Sequence, residues 1–216
     1  MNLAERPLGP GLALLACLIV VLGLSHGYDG AATSSDSLTY FSVAKSIAAG
    51  QGILAPDYEM THDAFAPITL WPPLYPALLS ALCLDTPCTA AGIRELTVYL
   101  NLFLEMLAAL VFLLLANKVA GKWLALVATA GLLLLPALQI TYMFVWSETL
   151  FIPLILLSFY CLERYLSKLS ASQADDAGRW SMLLLAIVSV ALASYARYVG
   201  VAFAIALLLC LATFSS

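Results

Sequence analysis

The sequence predicts an all-α polytopic membrane protein with five or six transmembrane helices. Three observations carry that prediction. The 216 residues are 63% hydrophobic and only 10% charged, and mean hydropathy is +0.98, whereas a soluble protein is about one quarter charged. Apolar stretches long enough to cross a bilayer recur along the chain, each needing about 20 mainly apolar residues. The polar residues are gathered into a few segments, above all one long acidic loop near the N-terminus.

The first apolar stretch, at roughly 8–25, follows Arg6 and has no clean small-x-small cleavage site after Leu24, so it reads as a retained signal anchor. Further spans are predicted at 96–116, 123–141 and 149–166. A hydrophobic run from 181 to 213, interrupted by Arg197, is either one long helix or two short ones. With the N-terminus in the cytoplasm, inner segments hold Arg6, Lys118, Lys122, Arg164, Lys168 and Arg179, and outer ones hold Lys45, Arg94 and Arg197. That bias puts the acidic loop outside. Because the chain stops at Ser216 right after an apolar run, it is expected to be the N-terminal part of a longer protein, and 1–216 is expected to form one transmembrane domain.

The outer loop, 26–95, is where aqueous chemistry is concentrated. Between His26 and Leu70 it carries Asp29, Asp36, Asp57, Glu59 and Asp63 against Lys45 alone. Ser34-Ser35-Asp36, then Leu38, Phe41, Ala44 and Ala48 at helical spacing, then Gly50, predict an amphipathic juxtamembrane helix at about 36–49. Ser35 or Asp36 is the expected cap, and Asp36 is either only a cap or a catalytic base at the membrane surface. Asp57, Glu59, His62 and Asp63 offer oxygen and imidazole ligands to a divalent metal ion, although the spacing matches no strong metal signature. Trp71-Pro72-Pro73-Leu74-Tyr75-Pro76 opens a second juxtamembrane helix at about 71–84, rigid and suited to the interface. Cys83 and Cys88 face outward, where they form either a disulfide or two thiols in a turn. Cys17, Cys161 and Cys210 fall in spans as small hydrophobes.

Within the spans, Glu105 lies one turn after Asn101 on the same face, and an acid at that depth is a functional candidate. Glu148 opens a span where a helix N-terminus favours an anion. Arg197, between Tyr195 and Tyr198, either binds a lipid-linked phosphate or snorkels to the interface.

Several of these pieces, in order, resemble one family. They are Asp36-Ser37-Leu38-Thr39-Tyr40, Gly50-Gln51-Gly52, Trp71-Pro72-Pro73-Leu74-Tyr75-Pro76, Ser147-Glu148-x-Leu150-Phe151 and Tyr195-Ala196-Arg197-Tyr198-Val199-Gly200. Together they look like the N-terminal half of bacterial GT-C membrane glycosyltransferases, such as aminoarabinose transferases and relatives of protein O-mannosyltransferases. The resemblance implies a GT-C-like N-terminal module with two juxtamembrane helices in its first outer loop. It also implies transfer of a sugar from a polyprenyl-phosphate donor to a glycan, lipid or protein acceptor outside the bacterial inner membrane. Asp36 then takes the position of the family's key carboxylate, and Tyr40, Trp71, Tyr75, Glu148 and Arg197 are expected to contact substrate. The departing phosphate needs a cation, from Arg197 or a metal. Ser37 stands where many relatives have a second acid, so a paired-acid metal site is not evident.

Two other classes compete. A proton-coupled transporter would use Glu105, but no internal repeat is visible. A non-catalytic subunit or pseudoenzyme would use the same half-fold to bind a lipid-linked sugar. Nucleic acid is not an expected partner, since there is no basic patch.

Overall fold

A computed structural model describes residues 9–26, 30–56, 65–67, 71–83, 88–170 and 176–214. Among them the chain is almost entirely helical. The helices are α1 (Gly9–His26), α2 (Ser35–Ala48), α3 (Leu74–Ala81), α4 (Ala90–Ala120), α5 (Lys122–Leu133), α6 (Pro136–Met143), α7 (Glu148–Ser170), α8 (Asp176–Ala196) and α9 (Gly200–Phe214). Two short strands, β1 (Leu54–Pro56) and β2 (Phe65–Pro67), pair antiparallel with Leu54 opposite Pro67.

Three helices are long and apolar enough to cross a membrane: Ala90–Ala120, Glu148–Leu169 and Ala177–Ala196. A fourth is added if the bent pair α5–α6 makes one crossing. The 31-residue α4 is about 46 Å long at 1.5 Å per residue. It therefore projects well past the 96–116 segment expected from hydropathy.

The predicted straight span at 123–141 is corrected to two helices bent by 59°. The cause is local. Pro136 disfavours a helical conformation at the residue before it, and Leu135 is extended at φ −67°, ψ 123°. The hydrophobic run at 181–213 is two helices rather than one. Gly200 opens α9 so close to α8 that an added Cβ would lie 2.6 Å from the Ser194 Cα. Only a residue without a side chain fits that corner.

The two helices expected in the 26–95 segment both form, with altered boundaries. Ser34, not Ser35 or Asp36, is the N-cap of α2, and Ser37 Oγ accepts the Ser34 amide N–H at 2.9 Å. Gly50 leaves the helix at φ +72°, a conformation that costs glycine little. The second of them is eight residues, Leu74–Ala81, rather than 71–84. Trp71-Pro72-Pro73 leads into it, and Pro76 falls in its first turn, where the missing N–H is not needed. Cys83 and Cys88 are disulfide-bonded, tying the end of α3 to the start of α4.

The helices run up and down. Ala31 is hydrogen-bonded to Arg94 near the start of α4, while Lys118 near its end pairs with Glu163 in the second half of α7 at 3.5 Å. α2, α3, the α6–α7 link, the start of α7 and the end of α8 therefore gather at one end. Lys118, Lys122, Arg164, Lys168 and Arg179 lie toward the other. Four apolar clusters follow this plan: α1, α4 and α5 around Leu126, α7, α8 and α9 around Val190, α4, α6 and α7 around Leu104, and a cap under α2 and α3 around Tyr75.

Candidate functional site

The site is assembled at the capped end from segments distant in sequence. The chain before α2 is fastened first, by backbone bonds. Ala32 N–H donates to the Met143 carbonyl at 2.8 Å and Val145 N–H to the Ala32 carbonyl at 2.9 Å. Arg94 Nε donates to the Ala31 carbonyl at 2.9 Å. α2 is then docked by side chains. Ser37 Oγ donates to the Val145 carbonyl at 3.0 Å, and Trp146 Nε1 donates to Ser34 Oγ at 2.8 Å. The Trp146 ring stacks on Phe144 with centroids 4.7 Å apart. Each bond satisfies a backbone or hydroxyl group where the chain is not helical, and buried polar groups require such partners.

On this base a polar chain is built. The Tyr40 and Ser147 hydroxyls are 3.1 Å apart. Ser147 Oγ lies 3.5 Å from Glu148 Oε2, and the other Glu148 oxygen is ion-paired to Arg197. Both partners of that pair are about one-third exposed, so a ligand can reach them. Asp36 sits in the first turn of α2, one helical turn before Tyr40, and is half-buried. Helix N-termini favour a carboxylate there.

The electrostatics tie these groups together. Burial pushes the Tyr40 phenol above its ordinary value, and the hydrogen bond to Ser147 offsets part of the rise. The charges of Asp36 and Glu148 raise it further, while Arg197 lowers it. Tyr40 therefore feels all three charged groups at once. Behind it, Tyr75 meets Tyr40 edge-on with centroids 5.2 Å apart. The Tyr75 phenol is also pushed up, chiefly by burial, with Thr149 lowering it in part. The Thr149 hydroxyl is bonded to the Trp146 carbonyl at 2.8 Å, and among the described residues no bond of ordinary geometry reaches the Tyr75 hydroxyl.

Six residues singled out in the sequence thus come to one end: Asp36, Tyr40, Trp71, Tyr75, Glu148 and Arg197. They differ in access. Asp36, Glu148 and Arg197 are partly exposed, while Trp71 is half-buried against the cap cluster. Tyr75 has no exposed surface, so in this arrangement it supports Tyr40 rather than presenting a surface of its own. Asp57, Glu59, His62 and Asp63 lie outside the described residues. Among the described residues no group of three or more His, Cys, Asp or Glu side chains could hold a metal ion.

Sequence reasoning missed the residues that hold the site in place. Ser34, Ser37 and Trp146 are the main ones. The Ser34-x-x-Ser37 spacing is a local capping signal, whereas nothing local links Ser34 to Trp146 across 112 residues. Chemically, the arrangement offers a carboxylate able to accept a proton and a guanidinium able to hold an anion. No protein-family model, curated protein or solved structure matches the chain.

Proposed function

We propose that this chain is the N-terminal module of a GT-C-type membrane glycosyltransferase, moving a sugar from a polyprenyl-phosphate donor to a hydroxyl acceptor. The observation that carries the reading is the convergence of Asp36, Tyr40, Glu148 and Arg197 at one end of a membrane bundle. In this reading α1, the bent α5–α6 pair and α9 also count as passes, giving six. The site end faces outward, and the opposite, basic end faces the cytoplasm.

The reaction balances with the residues at hand. As the acceptor oxygen attacks the anomeric carbon, Asp36 takes its proton. The bond from the anomeric carbon to the phosphate oxygen breaks, and the electron pair leaves with the lipid phosphate. Arg197 stabilises that departing anion. Glu148 orients Arg197 through the ion pair, and Tyr40 and Ser147 hold Glu148 and the start of α7 in register. The expected ligands of a divalent ion, Asp57, Glu59, His62 and Asp63, fall outside the described residues. No step here depends on it.

The test is transfer from a synthetic polyprenyl-phosphate sugar in membranes containing this protein. Asp36→Asn is expected to reduce transfer by roughly 10²–10⁴-fold, the range for loss of a positioned base, with membrane insertion unchanged. Full activity in that variant would sink the assignment. Donor binding by the wild type without any transfer would favour the non-catalytic subunit instead.

A further inference from the structure

Behind the outer site, α4 carries a second polar group that the proposed transfer does not use. Asn101 spends both amide hydrogens on α6, donating to the Tyr142 carbonyl at 2.7 Å and the Phe144 carbonyl at 2.9 Å. Gln139 Nε2 donates to Glu105 Oε1 at 2.9 Å and also to the Leu133 carbonyl. These bonds serve carbonyls left without helical partners where α5 and α6 end. Two buried oxygens are left over. Among the described residues, Asn101 Oδ1 and the Tyr142 hydroxyl have no hydrogen-bond partner, in residues only 2% and 7% exposed. Both residues line a partly open space, with room for about 10 Å³ of water, together with the buried Glu105.

We infer that this space binds one water molecule, bridging Asn101 Oδ1, the Tyr142 hydroxyl and the Glu105 carboxyl group. The size suits a single water, and the partners match its usual count of about three. The water donates to Asn101 and Glu105 and accepts from Tyr142, so each leftover group is satisfied. Three side-chain oxygens are too few for the six to eight ligands of calcium or the octahedron of magnesium. Ala31 and Met143 also line the space, and the Ala32–Met143 bond fastens the chain before α2 to the end of α6. The bound water therefore holds the 142–145 segment from which Ser147 and Glu148 extend, whether or not the site performs glycosyl transfer.

The test is thermal unfolding of the whole chain in lipid nanodiscs, comparing wild type with Tyr142→Phe. If the space is dry, removing a partnerless hydroxyl leaves the midpoint unchanged or raises it, and that result overturns the inference. With a bridging water, the variant loses a hydrogen bond and its midpoint falls by about 2–4 °C. Sodium, potassium and choline are exchanged at constant ionic strength in the same experiment. A sodium- or potassium-specific rise that Glu105→Gln removes would assign the space to a cation and also overturn the inference. Should Tyr142→Phe fail to insert, density in an electron-microscopy structure of the wild type decides. An isolated peak within about 3 Å of all three side chains supports the water. An empty space, where other buried waters are visible, overturns it.

Discussion

The two ends of one aromatic inventory behave differently. Under α2 and α3, Tyr40 and Tyr75 are 3% and 0% exposed, while around the α8–α9 corner Tyr195 and Tyr198 are 61% and 53% exposed. In water the second pair would be an anomaly calling for a partner. In a bilayer it is the ordinary state, because lipid tails are as apolar as the side chains and helices gain little by hiding them. The informative burial in this chain is therefore the burial of polar atoms: Ser37, Asn101, Glu105, Ser147 and Thr149. Most of them lie on the path from α4 through the α6–α7 link to α2. The capped end is a specified structure, and the outer face of α8 and α9 is an exposed apolar one, suited to lipid.

The sharpest way to break this contrast is at Tyr75. Tyr75→Ala removes a fully buried ring from the cap cluster and should destabilise by about 3–5 kcal/mol, the range for large-to-small aromatic changes in a core. Tyr75→Phe should cost little, about 1 kcal/mol at most, since among the described residues no hydrogen bond of ordinary geometry reaches the hydroxyl it deletes. Chemical unfolding in mild detergent measures both. Equal losses in the two variants would mean that the hydroxyl, and not the ring, is what the cap needs. Next in size is Asn101→Leu, which orphans the Tyr142 and Phe144 carbonyls. Its expected cost is about 1–3 kcal/mol, allowing for the modest net worth of hydrogen bonds within membranes.

These residues also show what could be read in the sequence. The helical class, the presence of helices apolar enough to cross a membrane, and the two helices near 36–49 and 71–84 were legible because hydrophobic runs and capping signals are local. So was the grouping of Asn101 with Glu105, which follows from helical spacing alone. The bend at Leu135 had a visible cause in Pro136, but hydropathy averages over it, so 123–141 looked like one span. The cap of α2 was displaced by one residue because Ser34, Ser35 and Asp36 are all competent. The choice of Ser34 frees the Asp36 carboxylate from capping. The hairpin β1–β2 was not read at all, since Pro56 and Pro67 argue against strands. At the site, the chemistry-bearing residues were recognised one by one. Their supports were not, because the bonds of Ser37 to Val145 and Trp146 to Ser34 cross more than 100 residues.

A smaller effect is expected at Ser37, whose hydroxyl joins α2 to the Val145 carbonyl and accepts from the Ser34 amide. Ser37→Ala should cost about 1 kcal/mol, read from the same unfolding curves. The pH dependence of the cap supplies an independent check. The folded-state pKa of Tyr40 is raised above its ordinary 10.0, so its contribution to stability is complete below about pH 10. It is lost as pH climbs through the higher folded value, because the buried phenol resists ionisation. Tyr40→Phe should flatten the alkaline fall in stability while leaving the neutral-pH slope unchanged. An identical alkaline limb in the variant would place the cause elsewhere.

The smallest expected effect is at Leu208, tested on the exposed apolar side against its buried neighbour on α9. Leu207 is buried against α7 and α8, whereas Leu208 is 64% exposed. Leu207→Ala removes packed contacts that lipid cannot restore without a cavity, and should cost about 2 kcal/mol or more. Leu208→Ala exchanges one apolar contact with acyl chains for another. Its cost in lipid should stay within about 0.5 kcal/mol, as for surface positions generally. The comparison requires lipid, since a detergent shell could strip the difference. If Leu208→Ala were as costly as Leu207→Ala, the outer face of α9 would be packed against protein rather than lipid. The division between a specified cap and a dissolved flank would then fail at that helix, and a further helix or a second subunit would have to be sought against it.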